Sequence, residues 1–193
     1  MPSTKLLLVR HGQTDWSREL RHTGRTDVPL NAEGEAQART LQDRLPTSGV
    51  VETWASPLSR ALETARLAGL TVDRVDPDLQ EWDYGSAEGR TTVSIREQRP
   101  RWDVWVDGVQ VLGGGGESID EVADRVDRVI AAARRIDGTV ALVAHAHLLR
   151  ILSARWLGQP PQFGRHIHLD AASWCLLGWQ REAPAILHWN VTT

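Results

Sequence analysis

Apolar residues crowd into short runs separated by segments of helical period. Residues 6–9 (LLLV) and 139–144 (TVALVA) carry almost no polar side chain, the pattern of strands buried on both faces of a parallel sheet. Residues 50–55 read as a further strand and residues 72–75 as a short one. Asn31 caps a helix predicted to run to about Leu45, with Ala32, Ala36, Leu41 and Leu45 on its apolar side; Pro46 and Gly49 end it. Residues 59–70 give a helix with Leu62, Ala65, Leu67 and Ala68 inward. Residues 91–99 and 101–107 give two short helices broken at Pro100. The strongest helical signal begins at Ser118, which fits a capping box with Glu121. It continues through Ile119, Val122, Val126, Val129, Ile130 and Ala133 and stops at Gly138. Residues 147–157 give the next helix, and residues 167–190 one or two more strands. Strands alternating with helices predict an α/β fold, a mostly parallel sheet covered by helices on both faces.

A chain of 193 residues suits a single domain, 1–193, with a sizeable core. Net charge is −3, which gives no broad electrostatic case for nucleic acid or a membrane surface. Cys175 is the sole cysteine, so no intramolecular disulfide forms, as suits a reducing compartment. The first apolar run is too short for a signal sequence or a membrane span, and the expectation is a cytoplasmic protein. The 9 tryptophans read mostly as core or cleft walls and leave a homodimer open.

Candidate chemistry sits where the apolar runs stop. In open α/β sheets the ligand crevice lies beyond the carboxyl ends of the strands. Arg10 and His11 end one run and His145 ends another, so one cleft can hold both histidines. A charged Arg straight after a buried strand is costly unless it meets an anion or a partner. Arg60 opens the helix after residues 50–55, where a helix N-terminus and a guanidinium fork both favour an anion. The pairs His145/His147 and His166/His168 offer a second reading, because alternate residues on a strand share a face and each pair could chelate a metal.

Four segments appear in order: RHGQTDWS from Arg10, SPLSRALETA from Ser56, EWDYGSAEG from Glu81 and VAHAH from Val143. Together they resemble the histidine phosphatase superfamily, the phosphoglycerate mutase-like branch, over residues 6–152. The look is closest to actinobacterial acid phosphatases of that branch. The resemblance implies a three-layer α/β/α sandwich and a phosphatase that needs neither cofactor nor metal. Its substrate would be a small phosphorylated molecule. His11 then matches the nucleophile and Glu81 the general acid, with Asp83 a nearby competitor. Arg10, Arg60 and His145 match the groups that hold the phosphoryl oxygens. Gln13, Ser17, Thr23, Gly24, Tyr84 and Ala146 match positions around the substrate. Glu117–Ser118 also matches a family feature, although capping of the long helix explains it without catalysis.

Several positions depart from the family pattern. Ser17 stands where many mutases carry Asn, and Ala144 and Ala146 where the family often has Ser and Gly. His147 is extra. The segment from Glu81 to His145 is short for a mutase, which favours hydrolysis over phosphoryl transfer between substrates. A phosphoglycerate mutase and a non-catalytic phospho-ligand module remain the alternatives.

Overall fold

The computed structural model describes residues 3–192. Its centre is a six-stranded sheet in the order β3-β2-β4-β1-β5-β6. The strands are β1 (Lys5–Arg10), β2 (Val50–Ala55), β3 (Arg74–Val75), β4 (Thr139–Ala144), β5 (Trp174–Gln180) and β6 (Ala183–Val191). The first four run parallel, while β5 and β6 add to the β1 edge as an antiparallel hairpin. The apolar runs at 6–9 and 139–144 are thus the two central strands, and neither meets solvent on either face.

Period-two alternation sorts their side chains into two cores. Leu6, Leu8, Val140 and Leu142 face one layer, which includes α6 (Ile119–Ala133) and α7 (Ala146–Trp156). Leu7, Val9, Ala141 and Val143 face the other, built on α2 (Ala32–Thr40) and α3 (Ser59–Leu67). The short helices α1 (Asp15–Arg18), α4 (Thr92–Gln98) and α5 (Val104–Asp107) lie in the connections. The capping box at Ser118 and Glu121 is formed in both directions and starts the longest helix.

Local differences have identifiable causes. The helix after Asn31 turns Gly34, Ala38, Leu41 and Leu45 inward and leaves Ala32 and Ala36 exposed. Backbone contact decides this. A Cβ at Gly34 would lie 2.0 Å from the Gln13 carbonyl oxygen, and one at Gly12 would lie 2.3 Å from the Gly34 carbonyl oxygen. Two glycines therefore let α2 rest directly on the loop that follows His11. The predicted strand at 72–75 keeps only two paired residues. The helix predicted at 101–107 shrinks to α5, whose N-cap is Asp103. No helix among the described residues is long and apolar enough to cross a membrane.

Candidate active site

Parallel pairing of β1 with β4 sets Arg10 beside Ala144, and the next backbone bond runs from His11 N to Ala144 O at 3.0 Å. The two strands therefore release His11 and His145 side by side, with ring centroids 5.1 Å apart. His11 Nδ1 lies 2.7 Å from the Gly12 carbonyl oxygen, which can only accept, so Nδ1 carries the proton and Nε2 a lone pair. Arg10 donates one terminal N–H to Leu169 O. Its Nε is the sole buried side-chain nitrogen or oxygen among the described residues without a partner.

Arg60 is fully buried behind these groups. It donates to the carbonyls of Gly24 and Thr26, both at 2.9 Å, and of Thr23 at 3.3 Å, and its Nε donates to His145 Nδ1 at 3.2 Å. That bond puts the His145 proton on Nε2, which donates to Ser56 Oγ at 2.7 Å. Arg60 thus ties the loop at residues 23–26 to His145.

Four positive groups in one cleft would repel one another, and the fold avoids this by keeping the imidazoles neutral. His11 is held well below its usual pKa by burial, then by the charges of Arg60 and Arg10. His145 is lowered by burial, then by Arg60. Arg10 and Arg60 remain as the two cations.

Glu81 is buried and closes the cluster from the opposite side. Its carboxylate accepts from the backbone N–H of Trp82 at 2.9 Å, of His147 at 3.0 Å and of Leu148 at 2.9 Å. The residue at the N-cap of α7, His145, makes no side-chain cap, so Glu81 supplies the acceptor from another part of the chain. Asp83 points elsewhere, its Oδ1 accepting from Gly85 N at 2.9 Å.

The segment before and through Glu81 is clamped by Arg125, which the sequence reading missed. This buried Arg donates to the carbonyls of Asp78, Gln80 and Glu81 and pairs with Glu117. Glu117 in turn accepts from Asp83 N, and its carbonyl accepts from Trp82 Nε1. The signal was present: Arg125 falls on the apolar stripe of α6, between Val122 and Val126, where a charge needs partners.

A cavity of about 640 Å³ opens over the cluster. Arg10, His11, Ser17, Thr23, Glu81, Tyr84 and Ala146 of the predicted positions line it, joined by His22, Trp105 and His147. Ser17 Oγ is also the N3 partner in the capping box of α1. Arg60 and His145 stand behind the wall. Gln13 and Gly24 lie outside it: the Gln13 side chain accepts from Asn31, and Gly24 N donates to Glu88. The chelating pairs of the second, metal reading do not form. The helix begins between His145 and His147, so their rings diverge, to Ser56 and Tyr84 respectively. His166 ends a 3-10 turn, and His168 bonds Asp170.

Burial also pushes His22 down to about 4 and His147 well below its ordinary value. Unfolded imidazoles titrate near 6.5. As pH falls below about 6.5, the unfolded chain binds protons that the folded chain refuses. The stability from each neutral histidine is therefore complete above that pH and is lost as pH falls towards the folded value, about 4 for His22. Each such group contributes a slope of about 1.4 kcal/mol per pH unit in that window. Urea-unfolding free energies should fall steeply between about pH 6.5 and 4.5, and His22→Asn should remove about one proton from the slope. A flat profile would refute the neutral assignments.

The family model described as "Histidine phosphatase superfamily (branch 1)" matches residues 6–192. An acid phosphatase of Mycobacterium tuberculosis is 41% identical over 180 residues, 91% of this chain and 87% of the relative. A probable phosphoglycerate mutase, GpmB, of an Enterobacter species is 34% identical, covering 93% of this chain and 86% of the relative. The solved structure of the open reading frame Rv3214 from Mycobacterium tuberculosis superposes with a TM-score of 0.92 at 38% identity, covering 98% of each chain.

Proposed function

The chain belongs to branch 1 of the histidine phosphatase superfamily, and from that membership we propose that it hydrolyses phosphomonoesters through a phosphohistidine on His11, with Glu81 as general acid. The observation that carries this reading is the buried, partnerless Nε–H of Arg10 beside a histidine whose other nitrogen is fixed on Gly12 O. A buried donor left unpaired costs about 1–3 kcal/mol, and a phosphoryl oxygen accepting from it removes that cost. Neutral His11 presents a lone pair rather than a proton, as a nucleophile must.

The chemistry takes two displacements. Nε2 of His11 forms a bond to phosphorus as the ester P–O bond breaks, and a proton that Glu81 has taken up from solvent or substrate on Oε2, which accepts only one backbone N–H, passes to the departing alkoxide. Water then attacks the phosphorus, Glu81 takes its proton, the N–P bond breaks and phosphate leaves. The guanidinium of Arg10 offers preset positive charge to the transferring group, with Arg60 adding its field from behind. His145 Nε2–H joins them by exchanging Ser56 Oγ for a phosphoryl oxygen. The relative named a probable phosphoglycerate mutase favours a second reading, transfer to another substrate instead of water.

Quenching turnover of a ³²P-labelled ester should trap phosphate on the wild-type chain that is labile in acid and stable in base. Free phosphate, rather than a second phosphoester, should be the main product. Because Arg10 and Arg60 supply the positive field, exhaustive chelation should leave the rate almost unchanged. A large loss restored by added Zn²⁺ or Mg²⁺ would bring the metal reading forward.

A further inference from the structure

The reaction scheme leaves the Tyr84–His147 pair unused. His147 is the second residue of α7, and its backbone N–H is one of the three on Glu81. Its side chain therefore starts beside the acid, on the leaving-group side of the phosphoryl site, and it lines the cavity. Packing fixes the ring: Trp105 lies 4.9 Å away, Tyr84 5.8 Å, Trp82 6.2 Å and His22 6.5 Å between centroids.

The Tyr84 hydroxyl bonds Nδ1 of this ring. Burial, then the charge of Glu81, pushes the phenol well above its ordinary pKa, so it keeps its proton. Tyr84 has no other acceptor among the described residues and donates to Nδ1. A neutral imidazole with Nδ1 accepting carries its proton on Nε2. That Nε2 has no protein partner among the described residues. It is not a buried orphan either, since Arg10 Nε is the one such atom, so it faces the cavity.

We propose that His147, its tautomer set by Tyr84, donates from Nε2 to a hydroxyl oxygen of the leaving alcohol and so selects phosphomonoesters of polyols over those of plain alcohols. The inference rests on the phosphatase reading above. The cavity lining includes Val93, Val104 and Trp105, together with Thr91, Thr92 and Arg96, whose Nε donates to Trp102 O. At the mouth Arg21 pairs with Glu19, and Asp103 with Arg165. The His147 Nε2–H is uncharged and stands among aromatic rings, so it suits an uncharged oxygen. An alcohol lacking that oxygen would cover the N–H and leave it unpaired. His147 acts here as a specificity residue, and Tyr84 as the residue that positions it.

The test compares kcat/KM for glycerol 1-phosphate and propyl phosphate, two esters of the same chain length. The wild type should prefer the glycerol ester about five- to tenfold, the worth of one neutral hydrogen bond. His147→Phe keeps a ring and removes the donor, and should bring the ratio to about one. Tyr84→Phe frees the tautomer and should lower the ratio part of the way. General damage to the site slows both esters alike and leaves the ratio in place. A wild-type ratio near one, or a wild-type preference retained by His147→Phe, overturns the proposal. Should His147→Phe fail to fold, an unchanged ratio in Tyr84→Phe overturns it. Turnover of p-nitrophenyl phosphate with none of glycerol phosphate also overturns it, while the phosphatase reading stands. A wild type inert to every phosphomonoester, p-nitrophenyl phosphate included, overturns the phosphatase reading itself and this inference with it.

Discussion

His11→Ala should lose turnover by roughly 10⁴–10⁶-fold while the chain folds as before. The size follows from the surroundings of the ring. Its neighbours are an imidazole held between Arg60 and Ser56, two guanidinium groups and a carboxylate that accepts three backbone N–H bonds. None of these offers a free lone pair in line with a scissile P–O bond. Deleting the imidazole also removes the Nδ1 bond to the buried Gly12 O, but His11 lines the cavity, so water entering the vacated space can replace the donor and keep the structural cost small. Burst and steady-state assays on p-nitrophenyl phosphate, with circular dichroism to verify folding, measure the effect. Wild-type activity in the alanine variant would end the assignment, and so would acid-labile phosphate still trapped on it.

Glu81→Gln is the second large effect, and two contributions to it must be separated. An alkyl oxide is a poor leaving group and needs a proton as the bond breaks, so its ester should slow by about 10²–10⁴-fold. A p-nitrophenolate leaves without one, and its burst should slow far less, although later water attack can still suffer. The other contribution is structural. A carboxylate has two accepting oxygens for the N–H groups of Trp82, His147 and Leu148. An amide has one, and its NH₂ would face a backbone donor, loosening the start of α7. That damage falls on both esters equally, so the difference between them isolates the proton. Equal burst losses would remove Glu81 as the acid. Asp83 does not line the cavity and its Oδ1 bonds Gly85 N, so the proton would then have to come from another cavity donor or from solvent.

Much of this arrangement could be read from the chain because it depends on local pattern. The strands at 50–55 and 139–144 and the capped helix at Ser118 follow from apolar runs and a capping box; the structure keeps both strands and the helix start, while the helix ends at Ala133, short of Gly138. The meeting of His11 and His145 follows from two strands that end alike. What escaped depends on contacts between distant backbones and on buried polar pairing. The inward face of α2 is set by Gly12 against Gly34, a close approach that no periodicity reports. Arg60 looked like a phosphate ligand at a helix start, yet most of its donors hold loop carbonyls, and a helical position cannot announce that. Arg125 was visible as a charge on an apolar stripe, but its partners lie as many as 47 residues away. The spacing of His145 and His147 suggested a shared strand face, although the helix read at 147–157 already argued against one; it starts at Ala146, between them.

The position of β1 has a consequence for the birth of the protein. It is made before the other five described strands, yet it is central in the sheet, flanked by β4 at residues 139–144 and β5 at 174–180. During synthesis its run of three leucines and a valine waits with both edges bare while more than a hundred residues are added. Loop-closure entropy must be met before such distant pairings form, so folding through them is slow. An exposed apolar strand is meanwhile a template for pairing with other chains. Under the proposed mechanism catalytic competence arrives together with this closure, since His145 joins His11 only when β4 docks. A ribosome-stalled chain ending before β4 should therefore be inactive and a chaperone client, however complete its RHG motif.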